Sequence, residues 1–157
     1  MLKSSSIIFL TAIIFSCSYS TGTASLSEEE SMQIETEAKE LANKWLASWN
    51  GVVDSEEMMA TYHPGMKYAW RGNSPLGTYD ETREFAESLS REGTDFQLTM
   101  SNVDFTLIDK NHVVVFFQFD DQNKSPFGVG AASLVMTKSN REWKIIYVHE
   151  STIEPLE

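Results

Sequence analysis

The second half of the chain reads almost entirely as β-strand, and this feature most constrains the fold. Four segments are rich in alternating or continuous apolar residues: 97–108, 112–119, 127–138 and 143–151. Short polar segments of the kind that form turns separate them: 109–111, 120–126 and 139–140. The apolar parity of the first segment changes near Ser101-Asn102, where a β-bulge would reconcile its two halves. We therefore expect four consecutive antiparallel strands.

A long amphipathic helix is predicted well before these strands. Ser27 and Glu30 have the spacing of a capping box, which marks a helix beginning at residue 28. Behind them, apolar residues recur at helical spacing and form one stripe: Ala38, Leu41, Ala42, Trp45, Leu46 and Trp49. Gly51 favours an end to this helix.

Two shorter helices and one strand are predicted between the long helix and the sheet. Asp54 begins a short helix that carries Tyr62 and ends before Pro64. Residues 66–71 read as a strand, and Thr78 caps a third helix. The order helix, helix, strand, helix and four strands predicts an α+β fold, with the helices on one face of a curved sheet.

The size and charge of the chain exclude several classes of function. Its 157 residues suffice for one compact domain. The 23 acidic and 12 basic side chains give a formal net charge of −11, which repels a phosphate backbone, so we expect no nucleic-acid partner. The single cysteine, Cys17, excludes an intrachain disulfide and a zinc site built on several thiolates.

The N-terminal segment predicts export. Residues 1–16 combine Lys3 with an apolar stretch of about ten residues, which suits a signal peptide and is short for a membrane span. Ile14-Phe15-Ser16-Cys17 resembles a bacterial lipobox, so Cys17 would become the lipidated first residue of a cell-envelope lipoprotein, held at a membrane by that lipid. Residues 17–27 would then form a flexible tether, and residues 28–157 the domain.

Two other interpretations of this segment stay open. Gly22-Thr23-Ala24 also has the small-x-small pattern of a cleavage site, and a cut after Ala24 would give a secreted or periplasmic protein. A segment that is never cut would instead act as a weak membrane anchor.

Three stretches carry a resemblance to a known superfamily. They are Trp45–Trp49 late in the first helix, Tyr62-His63-Pro64 before the first strand, and Trp143–Ser151 at the end. With the order of elements, they resemble the nuclear-transport-factor-2-like superfamily, in its SnoaL-like, ketosteroid-isomerase-like branch. The resemblance implies a cone: a strongly bent sheet closed by three helices on its concave side, with a pocket between them. It also commonly implies a homodimer through the convex sheet face.

The candidate catalytic residues lie on the predicted strands. His149, Tyr147 and Ser151 have the same parity as Trp143, so they would line the cone if this face is the inner one. His149 could then bind or protonate a ligand, and Tyr147 could donate a hydrogen bond. Asp104, on the long strand, is a second candidate for a pocket acid. The alternative is that all four are ordinary sheet residues satisfied by neighbours or solvent.

The proton-abstraction mechanism of many catalytic relatives lacks its carboxylate here. Those relatives place an aspartate after the second helix, at the entry to the first strand. This chain has Gly65 near that position. The departure argues against that mechanism.

Aromatic residues are expected to form the core and to shape an apolar pocket. We expect four of them, together with Ser151, to contact a ligand: Trp45, Trp49, Tyr62 and Trp70. No histidine pair has the spacing of a helical metal site, and no glycine-rich phosphate loop occurs, so no metal and no other cofactor is expected.

These observations favour an envelope-anchored or secreted domain that binds a small apolar or amphipathic molecule. Two alternatives stay open. One is an isomerase, cyclase or hydratase that uses the pocket His, Tyr or Asp residues, and the other is a dimerisation or protein-interaction module.

Overall fold

The structure is a computed structural model that describes residues 26–70, 76–122 and 128–153. The predicted signal peptide at 1–16, the lipidation residue Cys17 and the tether as far as residue 25 lie outside the described residues. Within the described residues, no helix is long and apolar enough to cross a membrane.

Three helices and eight strands make up the described part of the chain. The helices are α1 (Glu28–Trp49), α2 (Ser55–Ala60) and α3 (Tyr79–Glu92). Three short strands accompany them: β1 (Gly51–Val52), β3 (Gly77–Thr78) and β4 (Asp95–Phe96). The long strands are β2 (Tyr62–Trp70), β5 (Leu98–Asp109), β6 (His112–Asp121), β7 (Val129–Ser139) and β8 (Glu142–Ile153).

Six strands form one sheet in the order β3-β2-β8-β7-β6-β5, and β1 pairs with β4 in a separate two-stranded sheet. The four C-terminal strands are antiparallel to one another, whereas β2 runs parallel to β8. The helices cover one face of the large sheet, and the core fills the space between them. The predicted α+β class and the cone with three helices on its concave side are confirmed.

Helix boundaries follow the predicted caps because caps are local. Ser27 and Glu30 form the predicted capping box, in which the Ser27 N–H donates to the Glu30 carboxylate over 2.8 Å and the Glu30 N–H donates to Ser27 Oγ over 3.1 Å. Thr78 caps α3 in the same way. Gly93 ends α3 in the left-handed conformation, at φ 66°, which a residue without a Cβ adopts freely.

Two strand boundaries differ from the sequence prediction. Tyr62 was expected on the second helix but begins β2, because α2 ends at Ala60 and the Tyr62 side chain packs into the core. Asp120 and Asp121 were expected in a loop but continue β6. Asp121 extends the pairing with β7, since its N–H donates to Gly128 O over 3.0 Å.

The β-bulge expected near Ser101-Asn102 is confirmed. Ser101 pairs with Gln118 and Asp104 pairs with Phe116, so β5 carries one extra residue between these pairs. Asn102 has a φ of 50°, a left-handed conformation that asparagine tolerates better than most residues.

Candidate functional site

A second bulge, in β8, decides which side chains point into the cone. Met136 of β7 pairs with Ile145, and its neighbour Val135 pairs with Tyr147, so Ile146 is an extra residue. Before the bulge, Ile145 faces the core and is fully buried. After it the parity is reversed, because Val148 and Glu150 become the buried positions.

The expectation that His149, Tyr147 and Ser151 share a face with Trp143 is therefore wrong. His149 pairs with Ser133 on one side and Ala69 on the other, and its side chain is exposed on the outer face of the sheet. The same face carries the half-buried Tyr147 and the exposed Ser151. The physical reason is the extra residue at the bulge, which exchanges the two faces of the strand.

Asp104 also lies away from the interior. It pairs with Phe116 across β5 and β6, and both side chains are exposed on the outer face. It contributes no group to the cone.

A carboxyl that does enter the cone belongs to Glu150. Its side chain is only 5% exposed, and its Oε2 accepts a hydrogen bond from the Tyr68 hydroxyl over 2.6 Å. Burial away from water disfavours the charged form and raises the pKa of Glu150 to about 7, although the Tyr68 hydrogen bond opposes this rise. Burial, with the Glu150 carboxyl beside it, raises the pKa of Tyr68 well above its usual value.

Three of the predicted pocket aromatics meet next to this carboxyl. The Trp45 indole N–H donates to the Tyr62 hydroxyl over 2.6 Å, and the rings of Trp45 and Trp49 form an edge-to-face pair with centroids 6.0 Å apart. Burial raises the pKa of Tyr62 above its usual value, opposed by hydrogen bonds from both indoles. Trp45, Trp49 and Tyr62 thus form a packed inner wall rather than an open pocket.

The space at Glu150 itself is narrow. A gap of about 10 Å³ is bounded by six side chains: Trp45, Leu46, Trp49, Leu98, Phe119 and Glu150. A volume of this size is at the limit of what holds one water molecule. The aromatic side chains therefore close the apex of the cone around the carboxyl.

A wider cleft opens beside this apex, between β2 and α3. It has a volume of about 230 Å³ and is lined mostly by apolar atoms of Trp49, Tyr68, Trp70, Gly77, Glu81, Thr82 and Phe85. Tyr68 belongs to both regions, because its ring lines the cleft while its hydroxyl contacts Glu150. Of the predicted ligand-binding residues, Trp49 and Trp70 line this cleft, whereas Ser151 lies on the other side of the sheet.

Comparison with known proteins places this geometry in a family. The family model of the SnoaL-like domain matches residues 25–155, which is most of the chain. The chain belongs to the SnoaL-like domain family. No curated protein sequence matches it.

Solved structures show the same fold at low sequence identity. The SnoaL-like domain superposes on a candidate scytalone dehydratase from Novosphingobium aromaticivorans with a TM-score of 0.66, at 12% identity over 82% of this chain and 89% of that one. A candidate ketosteroid isomerase from Parabacteroides distasonis superposes with a TM-score of 0.59, at 18% identity over 76% of this chain and 88% of that one. A nuclear-transport-factor-2-like protein of unknown function from Pseudomonas putida superposes with a TM-score of 0.66, at 11% identity over 80% of this chain and 97% of that one.

The remaining histidines of this SnoaL-like domain have local structural roles. His63 lies near the start of β2, where the pairing with β8 shifts register, and its Nδ1 accepts a hydrogen bond from the Gly65 N–H over 3.0 Å. His112 contacts Asp109 at 3.0 Å on an exposed hairpin. Among the described residues, no three His, Cys, Asp or Glu side chains are grouped as the ligands of a metal ion would be.

Sequence reasoning missed Glu150 and Tyr68. The available signal was the run of four apolar residues Ile145–Val148, which breaks strict alternation just as residues near Ser101 do. A parity change inside this run places Glu150 on the inner face, and a carboxyl on an apolar face is a candidate site.

Proposed function

We propose that this SnoaL-like domain binds a small, partly apolar molecule in the cleft between β2 and α3. The observation that carries the proposal is the dual position of Tyr68, whose ring lines an apolar cleft and whose hydroxyl holds a buried carboxyl at 2.6 Å. Small-molecule sites are typically concave and apolar with a few placed polar groups. The cleft and the Tyr68–Glu150 pair behind it fit this description.

The walls of the cleft supply the binding energy in this proposal. Trp70 is half-buried and Phe85 is 42% exposed, so a ligand that covers them removes apolar surface from water. Thr82 and Glu81 place polar groups in the same lining. A ligand with an apolar body and one or two polar groups is the complement of such a cleft.

A screen with matched variants tests the proposal. Thermal-shift assays against hydrophobic metabolites should find compounds that stabilise the protein, and Phe85→Ala should weaken them by about tenfold or more. Phe116→Ala is the matched control, because Phe116 is similarly exposed, at 46%, on the opposite face. The proposal fails if no compound stabilises the protein, or if both variants weaken binding equally.

A second candidate function is acid–base catalysis, such as that of an isomerase, cyclase or dehydratase. The observation that favours it is the burial of the Glu150 carboxyl beside the Tyr68 hydroxyl, which raises the pKa of Glu150 to about 7. A carboxyl that titrates near neutral pH can both give and accept a proton at the pH of the cell. In this proposal Glu150 replaces His149 and Asp104 as the catalytic group, and Tyr68 positions it.

One variant distinguishes a role of Glu150 in catalysis from a role in ligand binding. Glu150→Gln keeps the shape of the side chain and an oxygen that accepts the Tyr68 hydrogen bond, but it has no proton to transfer. If the domain is an enzyme, this variant should lose at least about a hundredfold in kcat while ligand binding persists. Turnover that survives Glu150→Gln would exclude Glu150 as the acid or base.

We further propose that the domain forms a homodimer through the outer face of the sheet. Two cross-strand rows define this outer face: Asp104–Phe116–Ser133–His149–Ala69 and Thr106–Val114–Val135–Tyr147–Lys67. The rows contain one acidic residue, although the chain carries a net charge of −11. Two copies repel each other least where their contact is poor in negative charge, which favours this face for self-association.

The location of the protein stays a proposal based on Ile14-Phe15-Ser16-Cys17. We propose that export cleaves the chain before Cys17 and that a lipid on this residue holds the domain at a membrane of the cell envelope. Mass spectrometry of the mature N-terminus tests this directly. A lipidated Cys17 supports the proposal, and an N-terminus at Ser25 would show cleavage after Ala24 instead.

A further inference from the structure

Four aromatic residues from three elements line the cleft. Trp49 comes from α1 and Phe85 from α3, with ring centroids 6.5 Å apart. Tyr68 and Trp70 come from β2, with centroids 6.4 Å apart. The face of an aromatic ring carries negative potential, so rings around a cleft attract a cation more than they attract an anion.

Among the described residues of the lining, Glu81 is the one that carries a charge, and this charge is negative. Glu81 accepts hydrogen bonds at 2.8 Å from the N–H and from the hydroxyl of Thr78. These hydrogen bonds, the one from the Thr78 side chain foremost, lower the pKa of Glu81, so the carboxylate is ionised at neutral pH. Among the described residues that line the cleft, none is basic.

The charge of the whole chain acts in the same direction. A net charge of −11 gives the surroundings of the protein a negative potential, which concentrates cations and repels anions. An anionic ligand would be repelled by this potential, by the Glu81 carboxylate and by the faces of the aromatic rings. A neutral ligand would gain only the apolar contacts.

We propose that the cleft takes an organic cation with an apolar body, such as an aryl-alkyl ammonium, whose charge lies between the aromatic rings and Glu81. The inference rests on the proposed function, because it specifies the ligand of the same cleft. The volume of about 230 Å³ lies below the range of pockets for drug-sized molecules, so the ligand is compact.

Three probes that share one apolar body test the proposal. Isothermal titration of the full chain at neutral pH is run with naphthalene that carries a methylammonium, a hydroxymethyl or a carboxylate group. The ammonium should bind about tenfold more tightly than the alcohol, and the carboxylate should bind most weakly. If the alcohol or the carboxylate binds as tightly as the ammonium, the cation inference is wrong while the proposed function stands. If none of the three binds, both are wrong.

Two substitutions test whether the preference for the ammonium probe arises in the cleft. Glu81→Gln removes the charge but retains a side chain that serves in a capping box, so α3 keeps its N-terminus. Phe85→Leu keeps an apolar side chain but removes the ring. Each substitution should weaken binding of the ammonium probe by roughly threefold to tenfold and leave binding of the alcohol almost unchanged.

The matched control is Glu84→Gln, which removes the same charge from an exposed position of α3 that does not line the cleft. Its effect on the ammonium should be less than about twofold. If Glu84→Gln and Glu81→Gln weaken the ammonium equally, the overall charge of the protein explains the preference and the assigned site is wrong.

Discussion

At the scale of single residues, Glu150 has the environment with the largest consequences. Its carboxyl lies in the apolar interior with the Tyr68 hydroxyl as its hydrogen-bond partner. Among the described residues, the Tyr62 phenol also acts electrostatically on this region, whereas α1, β5 and β6 face the carboxyl with Trp, Leu and Phe side chains. The interior therefore favours the neutral acid.

This environment predicts that stability falls as pH rises. The pKa of Glu150 is about 7 in the folded protein and 4.5 in the unfolded chain, so the unfolded state binds fewer protons between these values. The free energy of unfolding should therefore decrease from about pH 4.5 to about pH 7 by roughly 3 kcal/mol from this group, and the loss should level off above pH 7.

Urea unfolding of the wild type and Glu150→Gln at several pH values measures this contribution as a difference. Glu150→Gln should be the more stable protein above pH 7, and the two curves should converge towards pH 4.5. Tyr68→Phe removes a hydrogen bond that lowers the pKa of Glu150, so it should extend the decline to higher pH. A constant difference between wild type and Glu150→Gln at all pH values would contradict the assignment.

Gly130 predicts a second effect at this scale, because two strands and a ring approach its backbone closely. A Cβ at this position would clash with the Ser151 carbonyl oxygen and with Phe119 Cζ. Gly130→Ala should lower the free energy of unfolding by about 1 to 3 kcal/mol. Gly77→Ala is the control, since its Cβ would meet atoms no closer than 3.5 Å and should cost less than about 0.5 kcal/mol. Equal effects of the two substitutions would contradict the close approach at Gly130.

At the scale of elements, sequence predicts those features that neighbouring residues decide. The caps at Ser27 and Thr78 were predictable because donor, acceptor and helix lie within four residues. The bulge in β8 was not, because the run Ile145–Val148 is apolar at both parities. The register with β7 and with β2, a strand that lies far away in sequence, decides which residue is extra. The fold class was therefore predictable, whereas the strand residue that faces the interior is Glu150 and not the predicted His149.

The attachment of α1 to the sheet gives a prediction at this scale. Glu37 of α1 accepts a hydrogen bond from the Lys138 ammonium and another, at 2.6 Å, from the Trp143 indole. The hydrogen bond from Lys138 has the larger effect on the pKa of Glu37. These contacts lower the pKa of Glu37, so their contribution to stability is present above the unfolded pKa of 4.5 and is lost as pH falls through the folded value.

Glu37→Gln should therefore lower the free energy of unfolding by about 1 kcal/mol at pH 7, and the deficit should shrink in acid. Glu35→Gln is the control, because Glu35 is exposed on the same helix and no described hydrogen bond joins it to the sheet. Thermal unfolding of both variants at pH 7 and in acid measures the two effects. A deficit of Glu37→Gln that is equally large in acid would show that packing, and not the ion pair, is lost.

At the scale of the whole molecule, the distribution of charge separates two surfaces. The cleft combines aromatic rings with Glu81, which suits a cation in a chain of net charge −11. The outer face is the opposite case, since apolar side chains stand on it with few charges: Phe116 is 46% exposed, and Val114 and Val135 are half-buried. Exposed apolar patches of this kind commonly mark interfaces between proteins. One surface is thus proposed to bind a ligand and the other to bind a second copy.

Phe116 is central in this proposal, because it lies on β6, between β5 and β7, and its side chain is 46% exposed on the outer face. Phe116→Glu would place a charge from each copy in the contact, and an unpaired charge in an interface costs several kcal/mol. Sedimentation velocity over a concentration series should therefore show a dimer for the wild type and a monomer for Phe116→Glu. Phe85→Glu, which adds the same charge at a residue that is 42% exposed in the cleft, should remain a dimer. A monomeric wild type, or a Phe116→Glu variant that still dimerises, would show that the outer face is not the contact.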